Sequence, residues 1–177
     1  MKYMFASDVH GSAYYCRKML DAYKEEKAER LVLLGDLLYH GPRNDLPREY
    51  APKQVISMLN DMKKEIYAVR GNCEAEVDQM VLQFPVMADY CILNLDGRTF
   101  YATHGHIYNE NNLPPIQEGD ILIHGHTHVL KAEQKEGYVL LNPGSVSIPK
   151  EGTRLHMRSL RTVCLQLRIL REILLRA

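Results

Sequence analysis

The sequence predicts an α/β protein in which a mostly parallel sheet with crossover helices packs against a second, more antiparallel sheet. Three observations support this prediction. Apolar runs alternate with helical spacing over the first part of the chain, polar clusters follow these runs, and short strands with turns replace the helices from Tyr90 onward. The 177 residues fit one domain, 1–177, that is long enough to bury a core.

The first part of the chain alternates strand-like runs with amphipathic segments. In order, these are a strand at 2–7, a helix at 12–27, a strand at 30–34, a helix at 52–64 and a strand at 65–69. Pro52 suits the first turn of its helix, where the N–H that proline lacks has no helical partner. Sheets of this kind place ligands at the carboxyl ends of their strands, so we expect function in the loops that follow, including the long polar loop at 38–52.

The second part of the chain consists of short strands separated by turns. In order, the expected strands are at 90–95, 99–103, 121–123 and 138–141. Asp96-Gly97 is a hairpin signal between the first two of them. Met80, Leu82 and Phe84, in the connection between the two parts, are expected in the hydrophobic core.

Composition places the chain among ordinary globular proteins. Apolar residues make up 46% and charged residues 25%, and no run approaches the roughly 18 apolar residues that a membrane span needs. The N-terminal apolar segment is too short and too quickly acidic for a signal peptide, which predicts a cytoplasmic protein with no membrane partner. The four cysteines show no CxxC spacing, so we expect reduced thiols and neither a zinc knuckle nor a disulfide framework.

Five polar clusters each follow a strand-like run, and together they predict a metal site. They are Asp8-Val9-His10, Gly35-Asp36, Gly71-Asn72-Cys73-Glu74, Thr103-His104-Gly105-His106 and Gly125-His126-Thr127-His128. Taken singly, each is more often a solvated loop. Taken together they contain five of the eight histidines, and buried imidazoles and carboxylates need partners. Carboxylate and amide oxygens mixed with imidazoles suit Mn²⁺, Fe or Zn²⁺ better than Ca²⁺.

The motif order DxH, GD, GNxE, HGH and GHTH resembles that of the calcineurin-like metallophosphoesterases. Residues 1–150 are similar to the small bacterial YfcE-type phosphodiesterases of that family, through segments such as FASDVHGS, LLGDLLYHGPRNDLP, AVRGNCEAEVDQM and NPGSVSIPK. The resemblance implies a four-layer α/β/β/α sandwich of two mixed sheets flanked by helices. It also implies two divalent metal ions and a homo-oligomer.

The resemblance further implies two ligand sets that are bridged by Asp36. The first set is Asp8, His10 and His128, and the second is Asn72, His104 and His126. Mn²⁺ is the expected metal, with Fe, Zn²⁺ or Ni²⁺ as alternatives. Two ions roughly 3.5–4 Å apart turn a bridging water into hydroxide near neutral pH and neutralise phosphoryl oxygens during attack.

The predicted function is therefore a dinuclear metal-dependent phosphodiesterase in which a metal-bridging hydroxide attacks a small phosphodiester, with Asp36, Asn72 and His104 as catalytic residues. The preference for a diester depends on the resemblance alone, so a phosphomonoesterase or a small nuclease stays open. A non-catalytic binding module is the other alternative, because the retromer scaffold subunit has this fold. That scaffold lacks part of the histidine set, which is complete in this sequence.

The expected substrate contacts are Arg43 and His40, both in the loop after Asp36. A guanidinium suits a phosphate oxygen, although a plain surface charge is the alternative for Arg43. His106 either orients the substrate or leaving group or supports a metal ligand. Cys73 stands where many relatives have a histidine, and the small phosphodiesterase branch shares this departure. A cysteine nucleophile is disfavoured because paired metals already supply the nucleophile.

Two further features are expected to hold loops in place. Asn142, in the NPGS turn after the last strand, is expected to support the loop that carries His126. Glu74 and Asp78 are expected to hold the Asn72 loop by capping the helix that begins there.

The last residues, 153–177, differ from the rest of the chain. They hold 6 Lys+Arg against 1 Asp+Glu, whereas residues 1–152 hold 16 against 21. The resemblance implies an acidic, Gly-containing pair of closing strands there. After a one-base shift of the reading frame, residues 158–165 can come from the same bases as VLEDGVF, and residues 168–172 from those of DLEG. We therefore hypothesise a slip near Gly152, in the gene or in the recorded sequence, which an intact mass tests.

The alternative is a genuine tail in which apolar residues alternate as a strand before a short basic end. The Arg-rich end lacks interleaved aromatic residues, so it does not predict nucleic-acid binding. The tail contains no predicted metal ligand.

Overall fold

The computed structural model describes residues 2–151. Within this range the helices are α1 (Ala13–Glu25), α2 (Pro52–Asp61) and α3 (Glu76–Val81). The strands are β1 (Tyr3–Ala6), β2 (Arg30–Leu33), β3 (Ile66–Ala68), β4 (Tyr90–Leu95), β5 (Arg98–Thr103), β6 (Asp120–Ile123), β7 (Leu130–Gln134) and β8 (Tyr138–Pro143). None of these helices is long and apolar enough to cross a membrane. The predictions for residues 153–177 lie outside the described residues.

The first sheet consists of the three N-terminal strands in the order β1-β2-β3, and its strand pairs are parallel. Ser12 starts α1, because its hydroxyl accepts a hydrogen bond from one of the N–H groups that a helix start leaves unpaired, that of Tyr15. Pro52 lies at the start of α2, as predicted. The apolar faces of α1 and α2 pack with Met4 and Leu31 of the sheet in one buried cluster. Burial of each large aliphatic side chain contributes about 1.5–3 kcal/mol.

The second sheet has the strand order β4-β5-β6-β8-β7 and is mixed. Strands β5, β6 and β8 are parallel, whereas β4 and β7 pair antiparallel at the two edges. The turn between β4 and β5 has positive φ at both Asp96 and Gly97, 50° and 77°, as a tight hairpin requires. Strand β7 is absent from the sequence-based prediction, because its residues LKAEQ lie on a partly exposed edge and form no apolar run.

The two sheets pack face to face. Phe5 and Leu34 lie in a buried cluster with Phe100 of the second sheet, and the rings of Phe5 and Phe100 stack with centroids 6.0 Å apart. The predicted sandwich of two sheets with flanking helices is therefore confirmed. Within residues 2–151 the first sheet contains parallel pairs only.

One core prediction is wrong. Leu82 and Phe84 are buried as expected, but Met80 is 83% exposed. The short helix α3 lies on the surface and contains no buried residue, so Met80 faces solvent. Leu82 ends the helix in an extended conformation and turns the chain back toward the core.

Candidate metal centre

The seven predicted metal ligands meet at one edge of the sandwich, where five strands end. Asp8 and His10 follow β1, Asp36 follows β2, Asn72 follows β3, His104 follows β5, and His126 and His128 follow β6. Carboxyl ends of parallel strands converge at a sheet edge, so residues distant in sequence become neighbours there. Glycine permits a close approach between two of these loops, because a Cβ on Gly35 would lie only 2.5 Å from Gly71 N.

The first cluster of donor atoms is formed by Asp8, His10 and His128. The Nε2 atoms of His10 and His128 lie 3.2 Å apart. Asp8 Oδ1 lies 3.6 Å from His10 Nε2 and 3.2 Å from His128 Nε2. All three side chains are buried. Asp8 Oδ1 makes no hydrogen bond to any residue in 2–151. A buried carboxylate oxygen needs a partner, and a divalent cation fits this position.

The second cluster is formed by Asn72, His104 and His126. His104 Nε2 lies 3.0 Å from Asn72 Oδ1 and 3.2 Å from His126 Nδ1. His104 is buried, His126 is partly exposed and Asn72 is exposed. This cluster is therefore more open to solvent than the first.

Asp36 lies between the two clusters. Its Oδ2 atom is 3.8 Å from His10 Nε2, and its Oδ1 atom is 3.5 Å from His104 Nε2. The backbone N–H of Cys73 donates a hydrogen bond to Oδ1 at 2.9 Å, which fixes the plane of the carboxylate. One side chain thus presents one oxygen to each cluster.

Backbone carbonyls orient three of the imidazole rings. The contacts are His10 Nδ1 to Tyr39 O at 2.7 Å, His104 Nδ1 to Leu34 O at 2.6 Å and His128 Nδ1 to Ile148 O at 2.7 Å. A carbonyl oxygen only accepts, so Nδ1 carries the proton and Nε2 presents a lone pair to its cluster. Lone pairs of imidazole, carboxylate and amide groups converge at both positions, a donor set that fits Mn²⁺, Fe or Zn²⁺.

The two clusters also differ in electrostatics. Burial opposes ionisation of Asp8, but the imidazoles of His10 and His128 outweigh it and hold the pKa of Asp8 well below its usual range. Burial opposes protonation of His10, yet the Asp8 carboxylate raises the pKa of His10 above its ordinary value. In the second cluster, burial and the nearby His104 lower the pKa of His126. A proton therefore competes with a metal ion more at His10 than at His126.

Backbone strain is concentrated among the predicted ligands. Five of them have φ in the left-handed region, namely Asp8 at 60°, His10 at 49°, Asp36 at 56°, His126 at 65° and His128 at 62°. Residues other than glycine rarely adopt this conformation, and each instance costs of order 1 kcal/mol. Strain of this kind persists where the surrounding structure enforces it, which is typical of a functional site.

Glu74 holds the loops after β2 and β3 together. Its buried carboxylate accepts hydrogen bonds from the N–H groups of Asp36, Leu37 and Gly71 at 2.8, 2.7 and 2.6 Å. The prediction that Glu74 caps α3 is wrong, because these bonds point back toward β2. Burial and the negative charge of Asp36 raise the pKa of Glu74 despite the three bonds, so a cation beside Asp36 would favour its ionised form.

Two other predicted supports are present. Asp78 Oδ2 accepts a hydrogen bond from Ala75 N–H at 2.8 Å, which caps α3. The buried amide of Asn142 donates to Gly125 O at 2.8 Å and to Thr127 Oγ1 at 3.1 Å, within the loop after β6. Asn142 thus holds this loop, as expected from its place in the NPGS turn.

Two serines in the turn after β8 add a support that is absent from the sequence-based predictions. The hydroxyls of Ser145 and Ser147 both donate to the carbonyl oxygen of Asp8, at 2.8 and 2.9 Å. They fasten this turn to the end of β1. The available signal was a Ser-x-Ser run directly after the NPG turn.

A pocket of about 420 Å³ opens over both clusters. Besides predicted ligands, its lining includes Arg43, Asn44, Cys73 and Lys150. Arg43 therefore lies where a substrate contact is expected. Lys150 is a second cation at the pocket that the sequence did not single out, although it follows the NPGSVSIP segment directly.

His40 and His106 lie away from this opening, since neither is among the described residues that line the pocket. His40 packs edge-on against the rings of Tyr39 and Tyr50, with centroid distances of 4.8 and 5.2 Å. The ring of His106 is 5.4 Å from that of His104, and burial together with His104 lowers its pKa. His106 thus lies beside a predicted ligand and outside the described lining of the pocket, and both expected roles stay predictions.

Comparison with known proteins identifies the family. Residues 1–163 match the calcineurin-like phosphoesterase superfamily domain. The chain is 48% identical to phosphodiesterase YfcE of Escherichia coli (strain K12) over 152 residues, which cover 86% of this chain and 83% of that protein. Its structure matches that of the E. coli phosphoesterase Yfce with a TM-score of 0.86 and 47% identity, over 88% of this chain and 85% of that chain.

A more distant structure shares the fold. A Vps29 variant from Entamoeba histolytica matches with a TM-score of 0.58 and 21% identity, over 87% of this chain and 79% of that chain. The domain match spans most of the sequence, and the E. coli relative is nearly half identical. The chain therefore belongs to the calcineurin-like phosphoesterase superfamily, a family of hydrolases.

Proposed function

We propose that this protein is a dinuclear metal-dependent phosphodiesterase. One observation carries the proposal: the two carboxylate oxygens of Asp36 face different donor clusters, Oδ2 that of His10 and Oδ1 that of His104. A carboxylate in this position suits two ions held side by side. Such a pair supplies the positive charge that turns water into hydroxide near neutral pH and neutralises phosphoryl oxygens during in-line attack.

The residues of the chain hold the ions and orient the substrate. Glu74 fixes the loops of Asp36 and Asn72 relative to one another, so that the two clusters keep their spacing. Arg43 and Lys150 place positive charge at the pocket, where a guanidinium suits a non-bridging phosphoryl oxygen. The mixture of oxygen and imidazole donors suits Mn²⁺, and Fe, Zn²⁺ or Ni²⁺ are the alternatives.

Cys73 does not favour a covalent mechanism. Its thiol lines the pocket, but burial and the negative charge of Asp36 raise the pKa of Cys73. A thiol attacks as the thiolate, which is scarce when the pKa is raised. Attack by water therefore fits this site better than attack by sulfur.

The preference for a diester comes from the 48% identical E. coli protein, which is named a phosphodiesterase. A phosphomonoesterase and a small nuclease remain the alternatives with the same metal chemistry. The non-catalytic alternative rests on Vps29, whose 21% identity supports a common fold alone. The complete donor set, with carbonyl-oriented rings, favours an enzyme. The cytoplasmic location and the homo-oligomer stay predictions.

The experiment is a hydrolysis assay of the metal-stripped protein on an aryl phosphodiester and on the matching monoester, after addition of Mn²⁺, Zn²⁺, Mg²⁺ or no metal. We expect diester cleavage with Mn²⁺ and its loss in Asp36→Asn and His126→Ala. Asp45→Asn, an exposed carboxylate in the loop after Asp36, is the matched control and retains activity. A folded protein that binds two ions but hydrolyses neither ester would refute the catalytic proposal and favour a scaffold.

A further inference from the structure

Three polar residues, His124, Glu110 and Lys131, lie behind the second cluster and have no part in the chemistry proposed above. His124 directly follows β6, two residues before His126, and is 1% exposed. Its Nε2 atom lies 3.0 Å from Glu110 Oε2, and Glu110 Oε1 lies 3.3 Å from Lys131 Nζ on β7. A chain of contacts thus runs from a partly exposed ion pair, through a buried ring, toward the metal centre.

The ring of His124 lies against both turns that carry imidazoles of the second cluster. A Cβ on Gly105, the residue after His104, would lie only 2.7 Å from His124 Nδ1 and 3.3 Å from His126 Cβ. His124 Nδ1 also lies 3.0 Å from the carbonyl oxygen of Gly125, the residue before His126. Any displacement of this ring therefore moves the backbone next to both ligands.

The ends of β5 and β6 are joined at the same place. Gly125 N–H donates to the carbonyl oxygen of His104 at 2.9 Å. The amide of Asn142 donates to Gly125 O at 2.8 Å and lies 3.4 Å from His124 Nδ1. The imidazole therefore lies directly against the backbone segments that carry His104 and His126.

Glu110 determines the orientation of the ring. A buried imidazole requires a partner for each nitrogen, and Glu110 is the partner of Nε2. The Glu110 carboxylate is itself held by Lys131, so it is not free to turn away. His124 and Glu110 make no direct contact with Asp8, His10 or His128 among the contacts described, although His126 N–H donates to Asp8 Oδ2 at 3.1 Å.

We propose that Glu110 and His124 are positioning residues that hold His104 and His126 at the spacing one metal ion requires. The inference rests on the proposed function in one respect, that an ion binds to the second cluster. Groups that orient metal ligands in this way typically change metal affinity by about 10–100-fold when they are removed.

The test compares Mn²⁺ binding by the full-length protein and by Glu110→Ala, Glu110→Gln and His124→Phe, using calorimetry and the electron paramagnetic resonance signal of the coupled ion pair. We expect Glu110→Ala and His124→Phe to weaken one of two ions about 10–100-fold and to weaken the other, which shares Asp36, by a clearly smaller factor. Glu110→Gln, which keeps a hydrogen-bond acceptor, should restore most of the affinity. Glu133→Gln, a carboxylate that pairs with Lys135 on the same edge, is the matched control.

A double-mutant cycle identifies which ion is affected. In an Asn72→Ala background, whose second cluster is already damaged, Glu110→Ala should add little further loss. Unchanged affinities, or equal weakening of both ions together with a lower melting temperature of the metal-free protein, would overturn the positioning role. A wild-type protein that binds fewer than two ions would instead overturn the dinuclear proposal and this inference with it.

Discussion

The two donor clusters differ in how they meet the solvent. In the first, Asp8, His10 and His128 are 0%, 1% and 4% exposed, and serine hydroxyls and backbone carbonyls fasten their loops. In the second, His104 is buried, but Asn72 is exposed and His126 is partly exposed at the pocket. One half of the centre belongs to the protein interior and the other half to its surface.

This difference has consequences for ion binding. Ligands that are fixed before the ion arrives lose little conformational freedom on binding, so we expect the tighter ion in the first cluster. Both clusters line the pocket, but the second has the more exposed ligands, so its ion should exchange with solvent more readily. Asp36 contributes one oxygen to each cluster, so damage to one half is expected to weaken the other.

Breaking the buried half is expected to have the largest effect. Asp8→Asn removes the carboxylate that lies between His10 and His128. Changes to groups that merely orient ligands cost about 10–100-fold, so loss of a ligand should lower kcat/KM by more than about 100-fold. Diester hydrolysis and metal content after desalting measure this, with the exposed Asp21→Asn on α1 as control. Retention of two ions and full activity would contradict the assignment of the first cluster.

Breaking the open half should cost less. Asn72→Ala removes a ligand that is neutral and exposed, so that water can take its place, and we expect kcat/KM to fall by about 100-fold, the upper end of the range for orienting groups. One of two ions should be lost in a Mn²⁺ titration, while the melting temperature of the metal-free protein stays within a few degrees, as is usual for surface changes. Asn111→Ala, an exposed asparagine between β5 and β6, is the control. Loss of both ions to the same degree would contradict the division of the centre into two halves.

A change at the pocket beyond the ligands should affect substrate binding alone. Arg43→Ala is expected to raise KM about tenfold with little change in kcat, since it removes a charge-assisted hydrogen bond worth about 1.5 kcal/mol. Steady-state kinetics on the aryl diester measure the effect. Arg48→Ala is the control, because that guanidinium stacks over the ring of Tyr14 at 3.8 Å. An unchanged KM would make Arg43 an ordinary surface charge.

The smallest effect is expected in the number of protons released on metal binding. The pKa of His10 is raised above 6.5 and that of His126 is lowered below it. Near pH 7 an ion entering the first cluster therefore displaces part of a proton from His10, and its affinity rises with pH until the raised pKa is passed. The lowered pKa of His126 leaves less proton for an ion to displace there. Calorimetry in two buffers of different ionisation enthalpy measures the number of protons released as each ion binds. Equal proton release by both ions would contradict the predicted difference between the two clusters.

Local patterns were sufficient for most strands and for placing donor residues at strand ends. Asp8 and Asp36 were expected at strand ends because each directly follows an apolar run, and both lie there in the structure. Local patterns were insufficient where burial depends on distant contacts. The alternation of Met80, Leu82 and Phe84 suggests one buried face, but Met80 lies on a surface helix.

Glu110 and His124 show the same limit at the site. In the sequence, His124 is a single histidine after an apolar run, and Glu110 lies in a polar loop fourteen positions earlier. No spacing rule joins these two residues. Their contact exists because the loop between β5 and β6 returns over the end of β6, beside Lys131 on β7.

The sequence by itself determined the two-sheet α/β architecture and the chemical types of the candidate donor residues, because hydrophobic periodicity and donor residues at strand ends are properties of short segments. Only the tertiary structure decided which donors lie together, how Asp36 faces both clusters, and which half of the centre is buried. These features depend on the packing of one sheet against the other and on left-handed backbone at the strand ends. Both are enforced by contacts between residues that are far apart in the chain.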